Sequence, residues 1–231
     1  RDVAPSRGLG DVYKRQAMDS VKLNKEGAAP IKPELEKIGA IKDKAEIYPL
    51  IVEMQKRGMY PYFILYVSAD DMNSNENMVH TMQGGLGMGE RDYYLEDDAQ
   101  TKEIRDKYQQ HVSKMFQLAG YDEATARKAV KAVMNIETRL ARSARSQVEL
   151  RDPHANYNKK TLEELQKEYP SFAWDVFFST AGLNNLKEVN IGQPDALKEV
   201  NAIIDTVSLE DQILYLQWNL INSAANYLSD D

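Results

Sequence analysis

The stretch of residues 83–95, Gln-Gly-Gly-Leu-Gly-Met-Gly-Glu-Arg-Asp-Tyr-Tyr-Leu, constrains the fold more than any other part of the chain. Gly84, Gly85, Gly87 and Gly89 give the backbone freedom for a sharp change of direction. They also divide two kinds of sequence. Before them, Tyr62-Phe63-Ile64-Leu65-Tyr66-Val67 is a run of aromatic and branched residues that reads as a strand. After them, amphipathic helical patterns run almost to the end of the chain, starting at Arg91-Asp92-Tyr93-Tyr94-Leu95.

Start and stop signals place the elements. A short helix is expected over residues 33–40. Asp43 followed by Glu46 is a capping-box pattern ahead of Ile47, Leu50, Ile51 and Met54, with Gly58 as the stop and Pro49 expected to bend the first turns. Residues 63–68 and 78–83 read as a hairpin joined by the turn-forming residues 70–77, and so small a sheet must pack on helices to be stable. From Asp98, the stripe Ile104, Tyr108, Val112, Met115 and Ala119 ends at Gly120. Asp122 caps the next helix, whose stripe is Ala129, Val133, Ile136, Leu140 and Ala144. Thr161 with Glu164 is a second capping box, and Pro170 stops the helix it starts. Phe172, Trp174, Phe177 and Phe178 read as core. Pro194 and Ser208 open the last two helices. The fold class is therefore mainly α, a multi-helical domain with one small β-hairpin, without internal repeat or linker.

The chain has 231 residues and a net charge of -7, which argues against nucleic acid as a partner. No apolar run approaches the ~20 residues of a membrane-spanning helix. With no cysteine, disulfides, thiolate metal sites and cysteine nucleophiles are excluded together.

The segment Leu86-Gly87-Met88-Gly89-Glu90-Arg91-Asp92-Tyr93-Tyr94 resembles one found in the neprilysin and endothelin-converting-enzyme family of zinc metallopeptidases, with Met88 where Leu or Ile is usual. Ala69-Asp70-Asp71-Met72-Asn73-Ser74, Arg151-Asp152-Pro153 followed by Tyr157-Asn158, Ile203-Ile204-Asp205-Thr206 and Tyr215-Leu216-Gln217-Trp218-Asn219-Leu220 resemble further family segments in the same order. The resemblance covers residues 17–231 and implies part of the helical, non-catalytic domain. Residues 1–16 do not share it. They resemble translated adapter sequence joined to a truncated reading frame and are expected to be a non-native or disordered tail. Animal members of the family are disulfide-bonded ectoenzymes, so the lack of cysteine points to a bacterial relative; the compartment, which cysteine usage does not fix, is implied by the resemblance to be the periplasm, the cell envelope or the medium.

For the intact protein the resemblance implies a zinc metalloendopeptidase acting on short peptides, with a helical domain that covers the active-site cavity. Zinc belongs to that intact enzyme. This chain's only histidines, His80, His111 and His154, do not form the His-Glu-x-x-His motif that a zincin places on a helix. The chain alone is accordingly expected to hold no zinc and to be inactive, with its own catalytic domain and, through it, peptides as partners. The alternative is a stand-alone, non-enzymatic helical binding module. Asp71-Met72-Asn73-Ser74-Asn75 opens like a calcium loop, but Glu76 and Met82 stand where Gly and Glu are required. The glycines match neither Gly-x-Gly-x-x-Gly nor a Gly-Lys-Ser/Thr phosphate loop. Gly87, Arg91, Asp92, Tyr93, Glu137, Arg151 and Asp152 are singled out as structural residues. Glu137 flanks an apolar stripe, where a charge needs a partner, and the others lie at chain turns. A hydrolase built on Glu137 and nearby arginines is the sharper reading of the same residues.

Overall fold

The computed structural model describes residues 20–229. The expected tail at residues 1–16 lies outside them. The described chain runs through α1 (Ser20–Glu26), α2 (Lys32–Gly39), α3 (Ile47–Lys56), β1 (Phe63–Asp70), β2 (Asn73–Gln83), α4 (Asp92–Leu95), α5 (Ala99–Leu118), α6 (Glu123–Ser143), β3 (Lys159–Thr161), α7 (Leu162–Glu168), α8 (Trp174–Thr180), β4 (Glu188–Ile191), α9 (Pro194–Thr206) and α10 (Leu209–Ala224). It is mainly α-helical.

Helix starts follow the capping residues. The Oδ1 atoms of Asp98 and Asp122 accept hydrogen bonds from Thr101 N (3.0 Å) and Thr125 N (2.7 Å), which opens α5 and α6. Asp211 N donates to Ser208 Oγ at 3.1 Å at the start of α10. Both capping boxes form, at Asp43–Glu46 and Thr161–Glu164. The first opens a 3₁₀ turn, Lys44–Glu46, that leads into α3. Pro49 falls in the first turn of α3, where helical N–H groups lack intrahelical acceptors, so its missing donor is cheap there.

Helix α6 is the central strut. Its stripe, from Ala129 through Val133, Ile136 and Leu140, is buried. It packs against α5, α9, α10 and the short α4. Helix α10 also covers α2, and α3 packs on α8. Phe172, Trp174, Phe177 and Phe178 are all buried and form one aromatic cluster. Phe63, the first residue of β1, inserts into it, 5.6 Å from Phe172 and 5.5 Å from Phe177 between ring centroids. The hairpin is therefore pinned to helices at its base.

The hairpin belongs to a larger sheet. Four strands lie in the order β1-β2-β4-β3, with β1 and β2 antiparallel, β2 and β4 parallel, and β3 antiparallel to β4. Asn190 of β4 stands opposite both His80 and Lys159. The hairpin strands also reach further than their apolar residues, with a register shift between Ala69 and Asp70 and a short turn at Asp71 and Met72. Once Phe63 and Gln83 set the register, the polar residues 73–77 extend the ladder in solvent.

Candidate functional site

Where β2 ends, the glycine-rich segment turns back across the helical layer. Gly85 has φ +78°, and a side chain there would strike the Tyr215 hydroxyl and Tyr62 N. Tyr215 Oη donates to Gly85 O at 2.8 Å and accepts from Tyr62 N at 3.2 Å. One phenol on α10 thus ties the start of β1 to the loop that follows β2. Tyr62, buried, is held at φ +67°, a strained conformation for a residue with a side chain. Two residues on, Gly87 passes so close to Tyr108 and Glu137 that a Cβ would overlap the Tyr108 hydroxyl.

Glu137 lies beneath this loop on α6, 1% exposed. Its Oε2 accepts hydrogen bonds from Tyr94 Oη (2.7 Å) and Tyr108 Oη (2.8 Å). Each phenol in turn accepts from a group that can only donate. Met88 N donates to Tyr94 Oη at 2.9 Å, and Trp218 Nε1 donates to Tyr108 Oη at 2.8 Å. The Gly87 N–H also favours the charged carboxylate. Four parts of the chain, the loop, α4, α5 and α10, converge on one carboxylate of α6. Burial pushes the Glu137 carboxyl up to about 7, against the pull of these hydrogen bonds. Burial, followed by the neighbouring Glu137 charge, raises the Tyr94 and Tyr108 phenols well above their ordinary value.

The other residues singled out from sequence lie elsewhere. Arg91 precedes α4. Its guanidinium lies 4.0 Å from Asp92 Oδ1 and 4.0 Å from Glu149 Oε2, and its buried Nε has no hydrogen-bond partner. The Tyr93 carbonyl accepts from Arg105 Nη1 at 3.3 Å, and the same guanidinium holds Tyr94 O at 2.6 Å and Glu96 O at 3.1 Å. Arg151 is exposed in a 3₁₀ turn. Asp152 Oδ1 accepts from His154 N (2.9 Å) and Ala155 N (3.1 Å), closing a local turn. Of that set, Gly87 meets Glu137 and Arg91 meets its neighbour Asp92, and the structure does not bring the others together.

The partners of Glu137 were not singled out from sequence. Tyr108 reads as a member of an apolar stripe, and Tyr94 and Trp218 as parts of the family-like segments. The available signal was an aromatic residue with a polar tip facing the same interior as a lone carboxylate. A second polar group has no signature in the sequence pattern. Gln83 and Arg145 exchange two hydrogen bonds, Gln83 Nε2 to Arg145 O at 2.9 Å and Arg145 N to Gln83 Oε1 at 2.8 Å. Arg145 Nη1 then reaches Ala155 O and Asn156 Oδ1, both at 2.8 Å, and so holds the loop after α6 against the end of β2.

A cavity of about 500 Å³ opens beside the loop, bordered by Met82, Gly85, Gly87, Glu137, Leu150 and Asn222. With Glu137 almost fully covered, and its hydrogen-bonding partners all neutral, the cluster offers neither a nucleophile paired with a base nor an exposed carboxylate for hydrolysis.

The histidines do not fit a zinc site. Buried His80 of β2 bonds Asn190 through Nδ1 at 3.1 Å and stacks on Tyr66. His111 stands edge-on to Trp218, and His154 is exposed in a loop. Among the described residues, no three His, Cys, Asp or Glu side chains are grouped to hold a metal ion. Nor is any helix among them long and apolar enough to cross a membrane.

Residues 3–231 match the N-terminal profile of Peptidase family M13. The chain belongs to this family. It is 30% identical over 241 aligned residues to endothelin-converting enzyme 1 of Cavia porcellus, covering 98% of this chain and 31% of that protein. It is 31% identical over 178 residues to the endothelin-converting enzyme homolog of Locusta migratoria, covering 72% of this chain and 24% of that protein. The crystal structure of the Mycobacterium tuberculosis zinc metalloprotease Zmp1 with an inhibitor superposes with a TM-score of 0.88 at 27% identity, over 98% of this chain and 35% of that one. PepO of Lactobacillus rhamnosis shares the fold, with a TM-score of 0.71 at 17% identity. The chain therefore spans about a quarter to a third of the length of these relatives.

Proposed function

We propose that this chain is the non-catalytic helical portion of a zinc-dependent M13 endopeptidase that hydrolyses short peptides. The observation that carries the reading is the near-complete match of this chain to only about a third of its relatives. Zinc in the intact enzyme would supply an activated water and polarise the scissile carbonyl. No residue described here fits the role of its ligand, so no step of that chemistry is assigned to this chain. Its part is to build a wall of the cavity that encloses the active site, which admits extended peptides and keeps folded proteins out. The partners in this reading are the protein's own catalytic domain and, through it, peptide substrates. The compartment that goes with it is the bacterial periplasm, cell envelope or medium.

The test is a peptidase assay on the full reading frame from the source DNA. The expected result is cleavage of short unstructured peptides, no cleavage of a folded protein containing the same sequence, and loss of activity with a zinc chelator. Activity that survives chelation would overturn the assignment.

A further inference from the structure

Gly84, Gly85, Gly87 and Gly89 border the cavity of about 500 Å³ and, having no side chain, present only main chain to it. The core side of this strip is filled, because a Cβ at Gly84, Gly85 or Gly87 would crowd Ile64, Tyr215 or Tyr108. Part of the strip's hydrogen-bonding capacity is unused. Among the described residues, nothing hydrogen-bonds to Gly84 N, Gly84 O, Leu86 N or Gly87 O. Unpaired main-chain donors and acceptors just past the end of a strand are what a second peptide main chain pairs with. Apolar side chains from other parts of the chain complete the cavity: Met59 before β1, Ile64 on β1, Met82 on β2 and Leu150 after α6. Tyr60 and Met82 at its border are still 42% and 37% exposed, so a ligand there has large apolar groups to cover. The rim on α10, Asn219, Asn222 and Ser223, is polar and uncharged. Glu137 is the one charged residue lining the cavity among the described residues. It is 1% exposed, and its carboxylate is taken by Tyr94 and Tyr108.

We propose that this cavity is a peptide subsite: the ligand's main chain pairs with Gly84, Leu86 and Gly87, and one bulky uncharged side chain enters between Met59, Met82 and Leu150. The main-chain bonds hold any peptide, and the lining selects the side chain. The volume is that of a small-ligand pocket, and an apolar wall with a few polar groups at the edge is the chemistry such pockets use to fix orientation. A charged side chain is refused because it would give up water for a lining that offers it no counter-charge. That the bound peptide is a substrate rests on the peptidase reading; the site itself rests on this chain's own geometry.

The test is titration of this 231-residue chain with acetylated, amidated Gly-Gly-Phe-Gly-Gly, read by the NMR shifts of the Gly84, Gly85, Leu86 and Gly87 amides. Saturable shifts at these amides are expected. Replacing Phe in the probe by Asp or Lys should weaken binding about tenfold, and so should N-methylation of the probe's central amides, which removes its donors. Tyr60→Ala and Met82→Ala alter exposed side chains and should each weaken binding about fivefold, while Val176→Ala, exposed on α8, should leave it unchanged. No saturable shift up to about 5 mM probe overturns the subsite, and this arm needs no variant to fold. Equal binding of the Phe, Asp and Lys probes, or binding untouched by both Tyr60→Ala and Met82→Ala, also overturns it. A flat titration beside chelator-sensitive cleavage by the full reading frame removes the subsite and leaves the peptidase reading standing. Saturable binding beside a full frame that cleaves nothing supports the subsite and removes the peptidase reading.

Discussion

At the scale of single residues, two glycines separated by one position are expected to behave differently. Gly87→Ala would press a Cβ into the Tyr108 hydroxyl and against Glu137, and should cost about 2 kcal/mol through overpacking of a closed network. Gly89→Ala meets nothing within 4 Å and carries only the left-handed penalty of its φ of +83°, about 1 kcal/mol. Paired thermal melts should rank Gly87→Ala as the less stable variant, and the reverse order would contradict the close approach. Glu137 makes a second residue-scale prediction. Its folded pKa is raised above the unfolded value, so the folded state holds the proton more tightly. The resulting stability is fully present below the ordinary Glu value of 4.5 and is lost as pH rises through about 7. The stability of the wild type relative to Glu137→Gln should therefore decline across that window, by on the order of 3 kcal/mol in total. Urea unfolding of both proteins at several pH values checks this, and a difference that does not change with pH would contradict it. Glu137 itself was visible in the sequence as a charge flanking an apolar stripe. Its phenol and indole partners were not, because periodicity gives the face a residue occupies and not which polar tip meets which carboxylate across three helices.

At the scale of elements, the long helices were legible because each announces itself within a few residues, whereas Ser20–Glu26 and Trp174–Thr180 carry no such signal. Asp98, Asp122, Thr161 and Ser208 cap where spacing places them, and Gly58 and Gly120 take left-handed φ at the helix ends. The outer half of the sheet was not legible. Lys159–Thr161 has no apolar member, and Glu188–Ile191 is too short to show alternation. Both are strands because of long-range pairing, and Asn190 is the joint. Its Oδ1 accepts from Asn158 N at 2.7 Å, while its Nδ2 meets Asn156 O at 3.0 Å and His80 Nδ1 at 3.1 Å. Asn190→Ala leaves buried His80 and the part-buried Asn156 O and Asn158 N without this partner and should cost about 2 kcal/mol. Hydrogen exchange should show the loss first in β3 and β4, with α6 still protected. Uniform loss across the chain would argue that the outer strands are not a separable unit.

At the scale of the whole molecule, two kinds of sequence meet at the glycine-rich turn, and the structure joins them through Phe63 in the aromatic cluster and Tyr215 on Gly85. The segments at residues 86–94 and 215–220 meet at this joint, and among the described residues no His, Cys, Asp or Glu cluster could hold a metal ion. The chain should accordingly bind Zn²⁺ no better than a surface histidine does. Titration calorimetry should give no saturable site tighter than about 10 µM, far weaker than the apparent ~10–16 kcal/mol of structural zinc sites. A tight stoichiometric site would contradict the separation of this chain from the zinc chemistry. The central proposal is that separation: this chain as a helical part of an M13 peptidase, with the catalytic part proposed to lie elsewhere in the same frame. The most direct measurement is to sequence the source DNA across both ends of the reading frame. The account predicts an in-frame His-Glu-x-x-His downstream of Asp231. A stop codon there, with native sequence on both flanks, would contradict it.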